Sequence, residues 1–283
     1  MLVKVNELLK DATENHYGVP AINVINIETA HYAALAAEQE HMPVIIQFYP
    51  GFKDYAPLSA IAGAAKYYAE RASVPIAVHQ DHSQGYEIAL EGIRDGFPSV
   101  MVDGSSLPYE KNVALTKSVV DVANVFNVDI EAELGHVGVG ANAEDFVTDG
   151  FYTDPAQAEE FVERTGCGSL AIAVGNAHGP YVKVPHLDFG RIQECREAVS
   201  IPLVMHGCSD IPDDQLQKAV NLGMSKFNIA TEYFRTMYRS LEKEIESDSH
   251  DGNGVNLMFG IKEDCIAFVA SKIRLLNPNN YSM

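Results

Sequence analysis

The stretch "PIAVHQDHSQG", residues 75–85, begins as a buried strand and ends in side chains that a protein core does not accept. Its first four residues are apolar and partly β-branched, which is typical of a strand in a parallel sheet. Two imidazoles and a carboxylate, from His79, Asp81 and His82, then precede a Ser-Gln-Gly break. A strand that carries such groups at its carboxyl end indicates a fold in which strand ends build the functional site.

Seven further short apolar runs, each bounded by turn residues, accompany this stretch. In chain order the eight runs are "PAINVIN" from residue 20, "PVIIQFY" from 43, "PIAVHQDH" from 75, "SVMVDGS" from 99, "DIEAELG" from 129, "SLAIAVG" from 169, "PLVMHG" from 202 and "SKFNIAT" from 225. Segments with helical apolar spacing lie between them. Eight alternating units predict an α/β protein with a (β/α)8 TIM barrel. A doubly wound open sheet competes, but "NVINIETA" is not its glycine-rich phosphate turn.

The chain is predicted to form one domain, residues 1–283, because no linker, repeat or low-complexity tract interrupts the series. An extra amphipathic helix precedes the first strand, and an extra C-terminal helix is predicted over 261–275. Two long segments, 136–155 and 176–187, follow the fifth and sixth strands and are predicted to be functional loops. The polar patch 246–256 is predicted to be a surface loop.

Composition excludes several classes of partner. The net charge of −19 argues against nucleic acid and against anionic membranes, because both are polyanions. No segment approaches about eighteen uninterrupted apolar residues, and the N-terminus has no signal-peptide core, so we expect a cytoplasmic protein that spans no membrane. The four cysteines are scattered without a CxxC pair, which favours reduced thiols.

Polar residues collect where the predicted strands end, which is the catalytic end of this fold. They are Asn23, Asp81, His82, Asp103, Glu131, Glu133, Asn176, His178, His206, Asn228 and Thr231. Each one alone is more often a hydrogen-bonded structural residue than a ligand. Together, three imidazoles and several carboxylates are costly to desolvate unless a cation organises them, and three imidazoles with an open fourth position are typical of catalytic zinc. His79 stays ambiguous, because it could replace His82 or support a ligand.

A phosphate site is predicted after the seventh and eighth strands. "HGCSD", residues 206–210, follows a strand with a glycine and a hydroxyl, and "NIATEYF" places Thr231 near the start of a helix. Backbone N–H groups at these two positions are the usual phosphate cradle of the barrel. The alternative interpretation is that Ser209 and Asp210 only cap the following helix, and both interpretations can hold.

Six motifs now indicate a family: "HQDH", "VDGSSLP", "EAELGHVG", "AVGNAHGPY", "HGCSD" and "NIATE". In this order and spacing they resemble the zinc-dependent class II fructose- and tagatose-bisphosphate aldolases, over essentially the whole chain. The resemblance implies a lyase that reversibly cleaves a ketose 1-phosphate or a ketose 1,6-bisphosphate into dihydroxyacetone phosphate and an aldehyde. It also implies Zn²⁺, a small phosphosugar substrate, and assembly as a homodimer or homotetramer.

Residue roles follow from the resemblance at matching positions. The implied zinc ligands are His82, His178 and His206. Asp81 would move the proton of the substrate hydroxyl beside the bond that breaks, while Asp103 and Glu133 match acids that hold the metal in an alternative or second position. The implied substrate and phosphate contacts are Asn23, Gly179, Lys183, Gly207, Cys208, Ser209, Asn228, Ile229, Ala230 and Thr231. A monovalent cation, Na⁺ or K⁺, is common beside that phosphate in the family.

The implied chemistry explains why His82 and Asp81 are neighbours. Breaking a carbon–carbon bond beside a ketone leaves a carbanion, whose charge a Lewis-acidic metal can stabilise while an adjacent carboxylate takes the hydroxyl proton. The other aldolase solution, a lysine Schiff base, is disfavoured because no strand carries an inward lysine at its carboxyl end, and Lys226 is predicted to begin its strand.

Three departures from the family pattern concern the substrate. The Asp-Pro-Arg that binds a distal phosphate corresponds to "GNG" at 252–254, without an arginine. Bulky Tyr49 occupies a position usually held by Ser or Thr, and "GVGANAED" shifts the acid pair of the mobile loop, so that Glu144 is the first candidate for the second proton transfer and Asp145 the next. We therefore expect substrates without a second phosphate. Two alternatives stay open: a metal-dependent ketose-phosphate epimerase and a catalytically silent sugar-phosphate-binding barrel.

Overall fold

The computed structural model describes residues 1–135, 137–139, 152–247 and 251–283. The strands in this part of the chain are β1 (Val19–Asn23), β2 (Val44–Phe48), β3 (Ile76–Ser83), β4 (Ser99–Val102), β5 (Asp129–Leu134), β6 (Gly138–Val139), β7 (Ser169–Ile172), β8 (Ala177–His178), β9 (Leu203–Met205) and β10 (Met224–Ile229). Eight of them close into a parallel barrel in the order β1-β10-β9-β7-β5-β4-β3-β2. The other two, β6 and β8, form a small parallel sheet beside it.

Helices connect the barrel strands and cover the outside of the barrel. They are α1 (Val5–Glu14), α2 (Ile27–Glu40), α3 (Leu58–Arg71), α4 (Tyr86–Asp95), α5 (Tyr109–Phe126), α6 (Pro155–Thr165), α7 (Phe189–Ala198), α8 (Asp213–Asn221), α9 (Thr231–Ser247), α10 (Gly254–Gly260) and α11 (Lys262–Leu275). A short 3₁₀ turn lies at Pro50–Phe52. In the described ranges, no helix is long and apolar enough to cross a lipid bilayer.

The predicted (β/α)8 barrel is confirmed, and each of the eight predicted apolar runs overlaps one barrel strand. Barrel strands such as β1 and β2 are buried along their whole length, because helices cover one face and the barrel interior the other. The extra N-terminal helix is α1, and the extra C-terminal helix over 261–275 is α11. Two details were wrong: residues 254–256 of the predicted surface loop begin α10, and Lys226 is the third residue of β10 rather than its first.

The N-terminal helix closes the end of the barrel that lies opposite the strand carboxyl ends. The backbone N–H of Asn6 donates to the Asp129 carboxylate at the start of β5, at 3.0 Å. Further along α1, the hydroxyl of Thr13 donates to the Leu9 carbonyl and shares a hydrogen bond with Ser225 near the start of β10. Because α1 covers this end, the carboxyl ends of the strands are the open ends of the barrel.

Candidate active site

An irregularity in β3 places two consecutive polar residues on one side of the strand. In a regular strand neighbouring side chains point to opposite faces, and Gln80 accordingly points outward and donates to the Ile88 carbonyl in α4 at 3.0 Å. The register with β4 shifts immediately after Gln80, and His82 has a φ of 38°, in the left-handed region. This bulge turns His82 toward the side that Asp81 occupies, which explains how one strand presents both groups to one site.

Three imidazole nitrogens converge at the carboxyl end of the barrel. His82 Nε2 lies 3.1 Å from His178 Nε2 and 2.7 Å from His206 Nδ1. The three histidines come from β3, β8 and the residue after β9, so the barrel brings together positions that are far apart in sequence. The sequence predicted this convergence, and the structure has it.

A glycine permits the close approach of the two segments that carry His178 and His206. Gly207 has a φ of 63°, and a Cβ at this position would lie 2.0 Å from the Ala177 carbonyl oxygen. The Tyr181 hydroxyl links the same segments, since it accepts from the Ala177 N–H and donates to the Gly207 carbonyl. Any side chain at 207 would therefore separate the two histidines.

Each converging histidine also has a hydrogen-bond partner outside the group of three rings. His82 Nδ1 lies 3.0 Å from Asp103 Oδ2, and His206 Nε2 lies 2.8 Å from Glu131 Oε1. His178 has a hydrogen bond with the backbone of Val137. Because a carboxylate can only accept, the nitrogen that faces it carries the proton, and in a neutral ring the other nitrogen presents its lone pair to the site.

Asp81 is held by three side-chain amides. Asn23 donates to Oδ2 at 3.0 Å, Gln47 donates to the same oxygen at 3.3 Å, and Asn228 donates to Oδ1 at 3.0 Å. Burial by itself would raise the pKa of this carboxyl, but the charges of His82 and other nearby basic groups, with the amide hydrogen bond, lower the pKa to about 2. Asp81 is therefore an ionised, oriented base at neutral pH.

The three histidines have different proton affinities. Burial lowers the pKa of His178 to about 4, with the His82 charge adding to the effect, and burial lowers the pKa of His206 well below its usual value. At His82 burial is outweighed by the Asp81 charge and by the Asp103 hydrogen bond, so its pKa rises to about 9. The acidic surroundings thus favour one positive charge at the point where the three rings meet.

Two further carboxylates face this point. The hydrogen bond to His82 and those to Ser105 outweigh burial and lower the pKa of Asp103. Burial first, and the charge of Asp103 second, raise the pKa of Glu133 to about 8. Glu133 Oε2 is buried and has no hydrogen-bond partner among the described residues, although it lies 3.7 Å from His206 Nδ1. A buried carboxylate oxygen without a partner is an incomplete arrangement.

The donor set fits a divalent cation. The side-chain ligand atoms of His82, His178 and His206 lie within 4.8 Å of one another, and those of His82, Asp103 and Glu133 do so as well. Nitrogens at about 2.0–2.1 Å from a tetrahedral zinc ion are about 3.3 Å apart, close to the separations between these rings. An ion here would also give the unpartnered Glu133 oxygen a partner.

A cavity of about 670 Å³ opens onto these side chains. The predicted substrate or phosphate residues among its described lining are Asn23, Gly179, Gly207, Ser209, Asn228, Ala230 and Thr231. Thr231 is the first residue of the long helix α9, whose N-terminal N–H groups attract anions. The Ser209 hydroxyl accepts from the Glu232 N–H at 3.2 Å, so it caps α9. The alternative interpretation, that Ser209 and Asp210 only cap the following helix, is wrong, because α8 begins after Pro212 without a side-chain cap.

Three residues predicted to bind phosphate lie away from the described lining of the cavity. The Cys208 thiol is buried and donates to the Met205 carbonyl, and its backbone N–H donates to the Asn228 carbonyl at 3.0 Å. Ile229 is a core residue, and Lys183 is exposed. The motifs identified the right turns, but Cys208 and Ile229 alternate with lining residues and point into the core, whereas Lys183 points to solvent. The predicted Glu144 and Asp145 lie outside the described residues.

The other part of the cavity wall is mainly apolar, with the uncharged polar residues Gln84, Ser105 and Ser106 beside the apolar ones. Tyr49, Phe52, Leu107, Leu115 and Phe234 line it, and the Tyr49 ring is 6.4 Å from the His82 ring in an edge-on arrangement. No Lys or Arg occurs among the described lining residues, whereas the lining does include the carboxylates of the site. A second anionic group on a ligand would therefore have no Lys or Arg as a counter-charge among the described lining residues.

The sequence missed a polar layer directly below the site. Lys226 Nζ and His206 Nε2 both lie 2.8 Å from the Glu131 carboxylate, and His79 Nε2 lies 3.6 Å from it. His79 Nδ1 contacts the Ser99 hydroxyl at 2.8 Å, so His79 is a neighbour of the site and not one of the converging rings. The signal that could have found this layer is the period of two, because Lys226, Glu131 and His79 each precede a site residue by two positions.

A closed (β/α)8 barrel with imidazoles and carboxylates at its strand ends defines the class of TIM-barrel enzymes. Within this class the chain belongs to the class II fructose-bisphosphate aldolase family, whose model matches residues 3–281. Membership in this family supports an aldolase-type lyase, and the family acts on small phosphosugars.

Relatives of known sequence and structure agree with this family. The chain is 42% identical over 232 residues to a protein of Escherichia coli K12 named "Uncharacterized protein YdjI", covering 82% of this chain and 84% of YdjI. The crystal structure of the YdjI aldolase matches with a TM-score of 0.88 at 35% identity, over the whole of both chains. Fructose-bisphosphate aldolase from Campylobacter jejuni matches with a TM-score of 0.83 at 21% identity, over 98% of this chain and 95% of that one, which shows the shared fold.

Proposed function

We propose that this chain is a zinc-dependent aldolase that reversibly cleaves a ketose 1-phosphate into dihydroxyacetone phosphate and an aldehyde without phosphate. The observation that carries the proposal is the convergence of three imidazole nitrogens, from His82, His178 and His206, beside an ionised carboxylate, Asp81. A Lewis acid and an oriented base at one point are what cleavage of a carbon–carbon bond beside a ketone requires.

The three histidines would hold the zinc ion, with Asp103 and Glu133 as acids at its alternative or second position. When bound, zinc supplies Lewis-acid stabilisation of the negative charge that develops on the ketone oxygen as the bond breaks. The chain contributes rings whose other nitrogens are already held, which reduces the reorganisation needed for binding. The family is generally zinc-dependent, which agrees with this donor set.

Asp81 would act as the base. Its carboxylate takes the proton from the substrate hydroxyl on the carbon beside the breaking bond, and that oxygen becomes the aldehyde carbonyl. In the reverse direction the same carboxyl returns the proton. The amides of Asn23, Gln47 and Asn228 fix its orientation and favour its ionised form, so that the proton transfer needs little reorganisation. Glu144 is our candidate for the proton on the dihydroxyacetone carbon.

The phosphate of the dihydroxyacetone half would lie against the turns that contain Gly179, Gly207 and Ser209, at the start of α9. This site lacks a lysine or arginine in its described lining, so helix N-terminal N–H groups and hydroxyls would carry the interaction. Its position on the histidine side of the cavity leaves the apolar wall with Tyr49 and Leu107 for the aldehyde half.

The lack of a described cation on the aldehyde side supports a substrate with one phosphate. A second phosphate would lie close to the carboxylates of Asp103 and Glu133, against apolar side chains and uncharged hydroxyl and amide groups, which is unfavourable without a counter-charge. The segment 252–254, where the family's arginine would be, is exposed, and Asn253 there caps α10 by accepting from the Val255 N–H.

The test compares ketose 1-phosphates with fructose 1,6-bisphosphate as substrates of the zinc-loaded protein, with triose phosphate release as the readout. We expect cleavage of a ketose 1-phosphate with a kcat/KM well above that of the bisphosphate. A strong preference for the bisphosphate would overturn the substrate assignment. Epimerised product without any triose phosphate would overturn the aldolase itself, and binding without turnover would identify a silent barrel.

A matched pair of variants sharpens the comparison. Leu107 lines the apolar wall and is 41% exposed, so a longer polar side chain fits there without a packing defect. Leu107→Arg should raise the ratio of bisphosphate to 1-phosphate kcat/KM by about two- to fivefold, the value of a solvent-exposed ion pair. Leu107→Gln is the uncharged polar control and should leave the ratio unchanged.

A further inference from the structure

A fully buried ion pair lies in the barrel interior below the three histidines. Glu131 on β5 and Lys226 on β10 have no exposed side-chain surface, and Lys226 Nζ lies 2.8 Å from Glu131 Oε2. The other oxygen, Oε1, lies 2.8 Å from His206 Nε2. The Glu131 carboxylate thus connects a charged ammonium group to one of the converging rings.

Such a pair is not explained by stability alone. Removing two charges from water costs several kcal/mol each, and apolar residues of similar size are often as stable or more so. Equivalent inward positions on neighbouring strands hold buried apolar residues, including Val19, Ile45 and Val204. A Lys–Glu pair at this place therefore indicates a requirement for the carboxylate itself.

We propose that Glu131, held by Lys226, is a positioning residue that fixes the orientation and tautomer of His206 for metal binding. This inference rests on the proposed zinc site. The carboxylate can only accept a hydrogen bond, so His206 Nε2 must donate it. A neutral His206 then has its lone pair on Nδ1, the nitrogen that faces His82 Nε2 at 2.7 Å.

His206 depends on this partner more than the other two rings depend on theirs. His82 is oriented by Asp103 at the rim, and His178 by backbone in a short strand, both in partly exposed positions. His206 is completely buried, so water cannot replace a lost acceptor at Nε2. Lys226 completes the arrangement, because it neutralises Glu131 and occupies Oε2, which leaves Oε1 to the ring.

The experiment compares two double variants that both remove the buried charges. Glu131→Gln with Lys226→Met keeps an acceptor oxygen for His206, whereas Glu131→Met with Lys226→Met has similar volume and no acceptor. Zinc affinity is measured by competition with a chelator of known affinity, and the visible spectrum of the cobalt(II)-substituted proteins reports ligand geometry. Thermal unfolding of the metal-free proteins confirms that both variants fold.

We expect the Gln variant to bind zinc within a few-fold of the wild type and to keep its cobalt spectrum. The Met variant should bind zinc on the order of 10- to 100-fold more weakly, with an altered spectrum, as is typical when the partner of a metal-binding histidine is lost. Equal zinc affinity and equal spectra in the two variants would overturn the inference. If the wild type itself binds no zinc, the proposed function fails instead.

A third variant covers the case in which the Met double variant does not fold. Glu131→Asp keeps the charge and the pairing with Lys226 but shortens the side chain by one methylene, so that the carboxylate no longer reaches His206 in the same geometry. Weaker zinc binding with a retained fold supports the positioning role. Wild-type zinc affinity in Glu131→Asp would contradict it.

Discussion

The rim of the barrel and the interior directly below it use the same kinds of side chain in different balance. At the rim, three carboxylates from Asp81, Asp103 and Glu133 surround three imidazoles, and the described cavity lining has no lysine or arginine. In the interior, the Glu131 carboxylate has a lysine ammonium and a ring N–H as partners, one on each oxygen.

The two clusters differ in whether their charges are balanced by partners within the protein. In the interior the Glu131–Lys226 pair balances its charge, although His79 Nε2 beside it has no hydrogen-bond partner among the described residues. The rim has surplus negative charge, a carboxylate oxygen without a described partner, and three rings whose nitrogens face one another. A divalent cation would correct all three features at once, and this is why the rim, and not the interior, is the site of chemistry.

The largest effects should come from two variants at the rim, one that removes a metal ligand and one that removes the base. His178→Ala should lose both zinc and cleavage, because it removes one of three ligands. Asp81→Asn should keep zinc, since it preserves shape, but should lower kcat by about 10²- to 10⁴-fold, the usual contribution of a positioned base. Zinc content by elemental analysis and triose phosphate release measure the two properties separately.

The control for the histidine variant lies in the same loop. His186→Ala changes an exposed histidine eight positions after His178 and should alter neither zinc content nor kcat. Two outcomes contradict the assignment: stoichiometric zinc in His178→Ala, or wild-type cleavage by Asp81→Asn.

The second effect contrasts the stability of the two clusters in the metal-free protein. Lys226→Met leaves the Glu131 charge buried and unpaired, so it should lower the free energy of unfolding by about 3–5 kcal/mol. Glu133→Gln should instead raise the free energy of unfolding at high pH. The pKa of Glu133 is raised to about 8, so its ionisation costs the folded state stability progressively as pH rises from about 4.5 to 8.

Glu133→Gln should therefore match the wild type near pH 5 and be more stable than the wild type above pH 8. Chemical denaturation of chelator-treated protein at both pH values measures the difference. A harmless Lys226→Met, or a Glu133→Gln that is less stable than the wild type above pH 8, would remove the contrast between interior and rim.

Most of the fold was predictable because apolar runs and helical spacing are local signals. The eight barrel strands and α11 follow from them. The strands β6 and β8 do not, since two residues each have no periodicity and pair only because the loops meet. Helix α10 was also missed, because its sequence after Asn253 follows a run of polar and glycine residues that is typical of loops.

The site was predictable in its residue types and less so in its geometry. Asp81 and His82 are adjacent in sequence and should point in opposite directions; only the shift in register after Gln80 brings them together, and no local pattern encodes that shift. Glu131 was grouped with the rim acids and Lys226 was placed at the start of its strand, although both share the inward face with a site residue two positions later.

The smallest effect concerns protons released when zinc binds. In the metal-free protein the pKa of His82 is raised to about 9 and that of His178 is lowered to about 4, so at pH 7 the first ring is protonated and the second is neutral. Zinc requires neutral rings, so its binding at pH 7 should release about one proton from His82, and up to one more from Glu133, whose pKa is about 8.

The release should fall toward zero above pH 9, and the apparent zinc affinity should rise with pH up to that point. Calorimetry in two buffers of different ionisation enthalpy counts these protons; no release at pH 7, or a release that grows with pH, would contradict the raised pKa values of His82 and Glu133.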